Sequence, residues 1–405
     1  MSDDPESPPP VVLQVLPALG TGGVERGTVE MTEAIVQSGG VALVASAGGK
    51  WEPLIRRAGG RHVTLPLDTK NPWRIWRNAG RLAALIRAER VAIVHARSRG
   101  PAWSAWLACR RTGVAFMTTH HGTYSEGLAF KRRYNSVMAS GERVIAASRF
   151  IAELIQRRHG TDPARIRVIP RGVDTAIFDP DAVSPDRIAL LAEAWRLADA
   201  CQQGGGVPVV LLAGRLRAWK GQTVLLDAIA RMARADVCCV LVGGGGGGGG
   251  GQRITRRLIR QAERLGIAGR LRLVGNSDDM PAALMLADVV IHASTAPEAF
   301  GRVVIEAQAM ARLVIASDLG GPVETVEHGV TGWRVPPGDA AALAQAIDHA
   351  LSLPQDERAA IEANARASVL RSYTKQAMQA ATLDVYRELL AVKREQGCGE
   401  IATRP

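Results

Sequence analysis

Aromatic side chains are scarce, at 4% of the 405 residues. Proteins that hold single-stranded nucleic acid interleave aromatics with basic residues so that bases can stack. The scarcity therefore argues against a nucleic-acid partner. No run approaches the ~18 apolar residues of a membrane-spanning helix. The opening residues, Met1-Ser2-Asp3-Asp4-Pro5-Glu6, lack the basic start and apolar stretch of a secretory leader, and residues 1–10 read as a tail. Cysteine is sparse and odd in number, at 109, 201, 238, 239 and 398. No pair has metal-ligand spacing, which excludes a disulfide scaffold, makes a zinc site unexpected and fits buried thiols in a reducing compartment.

What is present supports packed domains. Hydrophobic residues make up 47% and charged residues 22%, a balance that builds a core. At ~150 residues per domain the length predicts two or three domains. The net charge of +11 is unevenly placed: residues 50–160 hold 21 Lys and Arg against 6 Asp and Glu. That excess is larger than the whole chain's, so the remainder is slightly acidic. A basic half points to an anionic partner: nucleic acid, lipid headgroups or a phosphorylated substrate. Trp73-Arg74-Ile75-Trp76-Arg77 and Lys131-Arg132-Arg133-Tyr134 fit against a membrane face, and equally fit a solvated arginine-rich surface.

Short β-branched runs alternate with helical patterns. The first half has such runs at 11–16, 41–45, 91–94, 115–118, 144–147 and 167–169, and the second at 208–214, 237–242, 271–274, 289–292, 313–316 and 332–335. This alternation predicts an α/β fold of two parallel sheets with helices on both faces. The pattern breaks from Asp174 to Gly206, around Asp179-Pro180-Asp181 and Ser184-Pro185. The expected domains are 11–185, with a helix over 375–395 added, and 207–372, joined by a linker over 186–206. A ligand cleft is expected between them, outside the carboxyl ends of the strands. Nine glycines, Gly243 to Gly251, follow a strand and precede a helix with apolar residues at 254, 258, 262 and 265. No Lys-Ser/Thr follows, so this is not a nucleoside-triphosphate loop, and a flexible loop is expected.

Four constellations carry chemistry. Arg215 and Lys220 lie in a strand-to-helix loop, with Lys220 at the positive end of the helix dipole, where a cation is disfavoured unless an anion sits nearby; a surface pair of cations is the bland alternative. In Pro297-Glu298-Ala299-Phe300-Gly301-Arg302, a helix start with free amides near Phe300, Gly301 and Arg302 offers an anion site. Glu298 before it and Glu306 within it are suited to accept hydrogen bonds from diols. An anion flanked by diols describes a sugar-diphosphate-nucleoside. His120 and His121 follow the strand at 115–118, with a structural role also open to each, His120 above all. Gly20-Thr21-Gly22-Gly23-Val24-Glu25 has Glu25 at the third glycine of the dinucleotide fingerprint, so a dehydrogenase is excluded, while Gly22 and Gly23 still permit close approach of a ligand.

Together these residues resemble the retaining GT-B glycosyltransferases of the group-1 family (glycosyltransferase family 4). The resemblance runs over most of the chain: Gly22-Gly23, His121-Gly122, Ile169-Pro170-Arg171-Gly172-Val173-Asp174, Gly214-Arg215-Leu216 with Lys220-Gly221, Glu298 with seven residues before Glu306, and a segment around Asp279-Met280-Pro281 similar to the family's base-binding segment. It implies two Rossmann-like domains facing a central cleft, with a C-terminal helix crossing back to the first. Arg215 and Lys220 would hold the donor diphosphate, Phe300 and Gly301 would offer it backbone amides, Glu306 would bind the ribose and Glu298 the donor sugar. His121 would lie near the reacting carbon, and Gly22 and Gly23 beside phosphate and acceptor. No metal or other cofactor is implied. The partners implied are a nucleotide-diphosphate-sugar and a carbohydrate or lipid-linked acceptor, in bacterial envelope polysaccharide or lipopolysaccharide synthesis, in the cytoplasm or on the inner face of an anionic membrane. Arg171 stands where family members often carry Asn, which adds charge at the cleft or alters acceptor choice. The alternatives are a sugar-nucleotide epimerase of the same architecture and a non-catalytic nucleic-acid- or membrane-binding protein.

Overall fold

The computed structural model describes residues 8–20, 22–124, 127, 129–197, 206–245 and 249–402. The chain divides into two compact units, Met1–Pro170 with Gln376–Pro405, and Arg171–Lys375.

In the first unit, β1 (Val11–Val15), β2 (Val41–Ser46), β3 (Arg61–Thr64), β4 (Val91–Ala96), β5 (Ala115–His120), β6 (Arg143–Ala146) and β7 (Ile166–Val168) alternate with α1 (Gly23–Gln37), α2 (Glu52–Arg57), α3 (Pro72–Ala88), α4 (Arg99–Thr112), α5 (Ala129–Asn135) and α6 (Arg149–His159). The sheet is parallel, in the order β3-β2-β1-β4-β5-β6-β7. Leu13 of β1 stands in register with Leu43 on one side and Val94 on the other, and both faces of the central strands are covered, as a crossover topology requires. Helix ends follow local chemistry. The Asn71 side chain accepts from the amides of Trp73 and Arg74, with Pro72 opening α3; Ser148 accepts from Ile151 to start α6, and Gly160, left-handed, ends it.

The second unit holds α7 (Pro185–Ala194), β8 (Val209–Ala213), α8 (Gln222–Arg231), β9 (Cys238–Val242), α9 (Gly249–Arg264), β10 (Leu271–Gly275), α10 (Met280–Met285), β11 (Val289–His292), α11 (Arg302–Ala309), β12 (Leu313–Ser317), α12 (Pro322–Thr325), β13 (Trp333–Val335), α13 (Ala340–Ser352) and α14 (Gln355–Ser372). Its sheet is also parallel, ordered β10-β9-β8-β11-β12-β13, with Val210, Leu212, Leu225, Leu241, Ile291 and Ile315 in its core.

The last helix, α15 (Lys375–Ala402), belongs with the first unit, as expected of the crossing helix. Met378, Leu383, Val385, Tyr386 and Leu389 pack with Val12, Met31, Ile35, Met117 and Ile145. The Tyr386 hydroxyl lies 2.8 Å from His95 Nδ1, and Glu388 pairs with Arg143 and Arg167.

The domain limits differ from the expected ones. The division falls at Pro170/Arg171, not after 185. The expected linker opens with α7, whose start is fixed by the Ser184 side chain accepting from the Arg187 amide; Arg187 then pairs with Asp279 at 2.8 Å, tying α7 to the start of α10. Ser184-Pro185, a chain breaker on paper, is a helix N-terminus. Residues 198–205 lie outside the described residues, as do 1–7 of the expected tail. Beside the division the second unit is laced to itself. Val173 N donates to Tyr373 O and Lys375 N to Val173 O, and Lys375 Nζ meets Asp174 at 2.8 Å. A Cβ at Gly172 would lie 2.5 Å from Thr374 O, so only glycine fits there. Arg171 beside it is buried.

Candidate functional site in the second unit

In each sheet the strand order reverses once, between β1 and β4 and between β8 and β11. In open α/β sheets ligands bind outside the carboxyl ends of the strands at such a reversal. In the second unit the two loops that leave this point are the one after β8, with Arg215 and Lys220, and the one after β11, with Glu298.

Close backbone approach joins the two loops. After β8 the chain makes a 3-10 turn over Ala218–Lys220, and Gly221, at φ 75°, opens α8. A Cβ at Gly221 would stand 1.8 Å from Ala293 O, so glycine is required both for its conformation and for contact with the end of β11. The Thr295 amide donates to Trp219 O at 2.8 Å. These contacts hold Lys220 Nζ 2.6 Å from Glu298 Oε1, with 18% and 13% of the two side chains exposed. The same carboxylate oxygen receives His292 Nε2 at 2.8 Å and the Ser294 hydroxyl. Burial opposes ionisation of Glu298, but the His292 hydrogen bond and the Lys220 charge outweigh it and hold the carboxyl well below the usual carboxylate range.

Glu298 is also fixed through its backbone. Its carbonyl accepts from Gly321 N at 2.9 Å, and side chains at Gly320 or Gly321 would clash with this loop. Phe300 is buried, edge-on to Tyr373. Gly301, left-handed at φ 78°, precedes α11, which has no side-chain cap; the Val304 amide donates to Gly301 O, and a helix start without a cap is of the kind that takes an anion. One turn on, Glu306 pairs with Arg302 at 3.0 Å. Arg215 is exposed, and its carbonyl accepts from Gln222 Nε2.

Sequence reasoning missed His292 and Ser294, and it anticipated the Arg302 amide but not the pairing of the Arg302 side chain with Glu306. The available signal for His292 was a polar residue closing an otherwise apolar strand. Lys220 was expected to face an anion, and in this structure it faces Glu298. Part of the nine-glycine run is placed. Gly244 N donates to Asn276 Oδ1 at 2.7 Å, and Leu216 N donates to Gly244 O. Gly243, at φ 138°, would clash with Gly214 O if it carried a Cβ. Gly249–Gly251 begin α9, and 246–248 lie outside the described residues.

In the first unit, His121 follows β5 and is half-buried. Gly22 precedes α1 with no side-chain cap, and a Cβ there would meet the Glu25 carboxylate; Gly23 is the helix's first residue. His120 is a packing residue, with its ring 4.6 Å from that of Tyr124. Burial, with His159, Arg158 and Arg99 nearby, pushes its pKa down to about 3. Also unanticipated is a buried polar chain at the β1–β4 reversal. Arg97 donates to Gln14 Oε1, Gln14 donates to Thr28 O and Thr32 Oγ1, and His95 bridges Thr119 and Tyr386.

Two parallel-sheet Rossmann-like units and a C-terminal helix returned to the first define the GT-B class of α/β proteins. The family description "Glycosyltransferase Family 4" matches residues 21–177, and "Glycosyl transferases group 1" matches 199–368. D-inositol 3-phosphate glycosyltransferase of Salinispora tropica is 32% identical over 337 residues, spanning 77% of this chain and 68% of that protein. A glycosyltransferase of Rickettsia africae is 36% identical, with TM-score 0.85 over 94% of this chain and 99% of the other. HepE of Anabaena, solved in complex with UDP, is 25% identical, with TM-score 0.80 over 94% and 100% of the two chains. The chain belongs to the group-1 glycosyltransferases of family 4, and it is a glycosyltransferase of GT-B fold.

Proposed function

We propose that this enzyme transfers a hexosyl group from a uridine-diphosphate sugar to an anionic acceptor, with retention of anomeric configuration and without a metal. The observation that carries the reading is the Lys220–Glu298 pair beside the uncapped start of α11. Breaking the sugar–phosphate bond leaves a cationic sugar and a diphosphate that gains negative charge. In this reading Arg215, Lys220 and the amides at Phe300 and Gly301 take up that charge, and one such preorganised donor is worth about 10²–10³ in rate. Within the second unit, Glu298 would accept from a sugar hydroxyl and Glu306 from the ribose. The UDP complex of Anabaena HepE supports the nucleotide.

Two things support the anionic acceptor: the name of the Salinispora relative, which acts on an inositol phosphate, and the basic stretch of residues 50–160 in the first unit. A phosphate-bearing envelope polysaccharide, lipopolysaccharide or lipid-linked glycan presents the same chemistry. Trp73 and Trp76, stacked and 65% and 52% exposed, suit docking of the first unit to the inner face of a membrane. No described helix is long and apolar enough to cross one.

Proton NMR of reactions with UDP-glucose, UDP-galactose or UDP-N-acetylglucosamine and inositol phosphate or phosphorylated glycans tests the proposal. A product with the donor's anomeric configuration, formed only with acceptor present, is expected. Epimerised donor formed without acceptor would replace the proposal with the epimerase reading.

A further inference from the structure

Helix α9 has a surface that the donor site does not use. Arg253, Arg256, Arg257, Arg260 and Arg264 recur at helical spacing, and at 3.6 residues per turn they fall within an arc of about 100°. All five are exposed, and they line an open hollow of about 510 Å³. None of the five makes a salt bridge or a side-chain hydrogen bond among the described residues. The opposite side of the helix is anchored by Leu258 and Ala262, which are fully buried. Five pairs of these arginines are three or four residues apart, a spacing at which like charges destabilise a helix. The stripe runs about 16 Å along the axis. A counter-anion would relieve this repulsion.

We propose that this arginine face docks on the headgroups of an anionic lipid bilayer, a contact of the second unit that is separate from the acceptor chemistry and from Trp73 and Trp76. The stripe matches a flat array of phosphates, each of which a guanidinium can grip in bidentate fashion. Ile259 and Leu265, 41% and 36% exposed, lie more than about 90° around the helix from the middle of the stripe, so the contact engages headgroups and not acyl chains. No aromatic residue stands among the arginines to stack a base.

The test is co-sedimentation of the full chain with vesicles of phosphatidylcholine alone or with phosphatidylglycerol, and with duplex DNA as a competitor. The variants are Arg256→Gln/Arg257→Gln/Arg260→Gln, the corresponding triple Lys variant, and Trp73→Ala/Trp76→Ala. A basic residue at an anionic surface contributes about fivefold in affinity, so the Gln variant is expected to bind phosphatidylglycerol vesicles about 100-fold more weakly. The Lys variant should retain most of the binding, and high salt should abolish it. The Trp variant should keep a component that the Gln changes remove, which separates this contact from docking through the first unit. Thermal melting of the Gln variant at or above the parent's verifies folding. Equal vesicle binding by the Gln variant and the parent, no binding of phosphatidylglycerol vesicles by the parent, or preference for DNA at matched phosphate would each overturn the proposal.

Discussion

Glu298→Gln should move nucleotide binding and sugar transfer in opposite directions. In the structure the carboxylate holds Lys220 at 2.6 Å, so a diphosphate reaching Lys220 must share that cation. Two anions on either side of one ammonium lie about 5 Å apart, and at an effective dielectric of ~20 each pair of unit charges repels by about 3 kcal/mol. Both side chains are partly solvated, and screening halves this to about 1.5 kcal/mol. Removing the charge should therefore tighten UDP about tenfold. Transfer should fall, because a charge-assisted hydrogen bond to a sugar hydroxyl, worth about 1.5–3 kcal/mol, becomes a neutral one; a loss of about 10- to 100-fold in kcat is expected. Deleting one partner of a fully buried pair costs about 3–5 kcal/mol, but solvent access and the remaining His292 and Ser294 donors reduce this to about 1–2 kcal/mol. That is a fall of about 2–8 °C in the melting of a unit this size. Isothermal titration with UDP, a UDP-release assay and calorimetry read the three quantities. Weaker UDP binding together with unchanged turnover would refute the reasoning.

Gly221→Ala forces a side chain into a left-handed conformation and onto Ala293 O. A loss of more than about 2 kcal/mol in denaturant unfolding is expected, together with loss of UDP binding; an unperturbed midpoint would contradict the loop contact. Tyr386→Phe leaves His95 Nδ1 without its 2.8 Å partner in a buried site and should cost about 1–3 kcal/mol in urea unfolding. Burial holds the His120 pKa down at about 3 in the folded chain, against an ordinary value of about 6.5. Between these values the unfolded chain binds a proton that the folded chain does not. The group's contribution to stability is thus present above pH 6.5 and is lost as pH falls toward 3, by up to about 1.4 kcal/mol per pH unit. His120→Asn should shallow this acid slope, measured by urea unfolding from pH 7 to 4, and an unchanged slope would be contrary to it.

Much of the architecture was legible because parallel strands buried on both faces read as short β-branched runs, and because helix ends carry recognisable chemistry, as at Asn71-Pro72 and Gly160. The division after Pro170 was not, because Ser184-Pro185 reads equally as a breaker and as a helix start; pairings distant in sequence decide it, Arg187 with Asp279, Lys375 with Asp174 and Val173 with Tyr373. The Lys220 and Glu298 loops were visible as separate signals. Their union across 78 residues depends on Gly221 packing against Ala293, a contact with no sequence signature. His292 and Ser294 were hidden because their role exists only once the loop after β11 folds back on them. The arginines of α9 have plain helical spacing, but five of them are few beside the 21 Lys and Arg of residues 50–160 in the other unit.

Calorimetric titration of UDP and UDP-sugars into the parent chain, Lys220→Ala and Glu306→Ala tests the donor site most directly. Saturable binding by the parent, weakened about 10-fold or more in each variant, is predicted, with Lys131→Ala, in the first unit, binding like the parent. Equal affinity in all four proteins would contradict the assignment of this loop pair to the diphosphate and ribose.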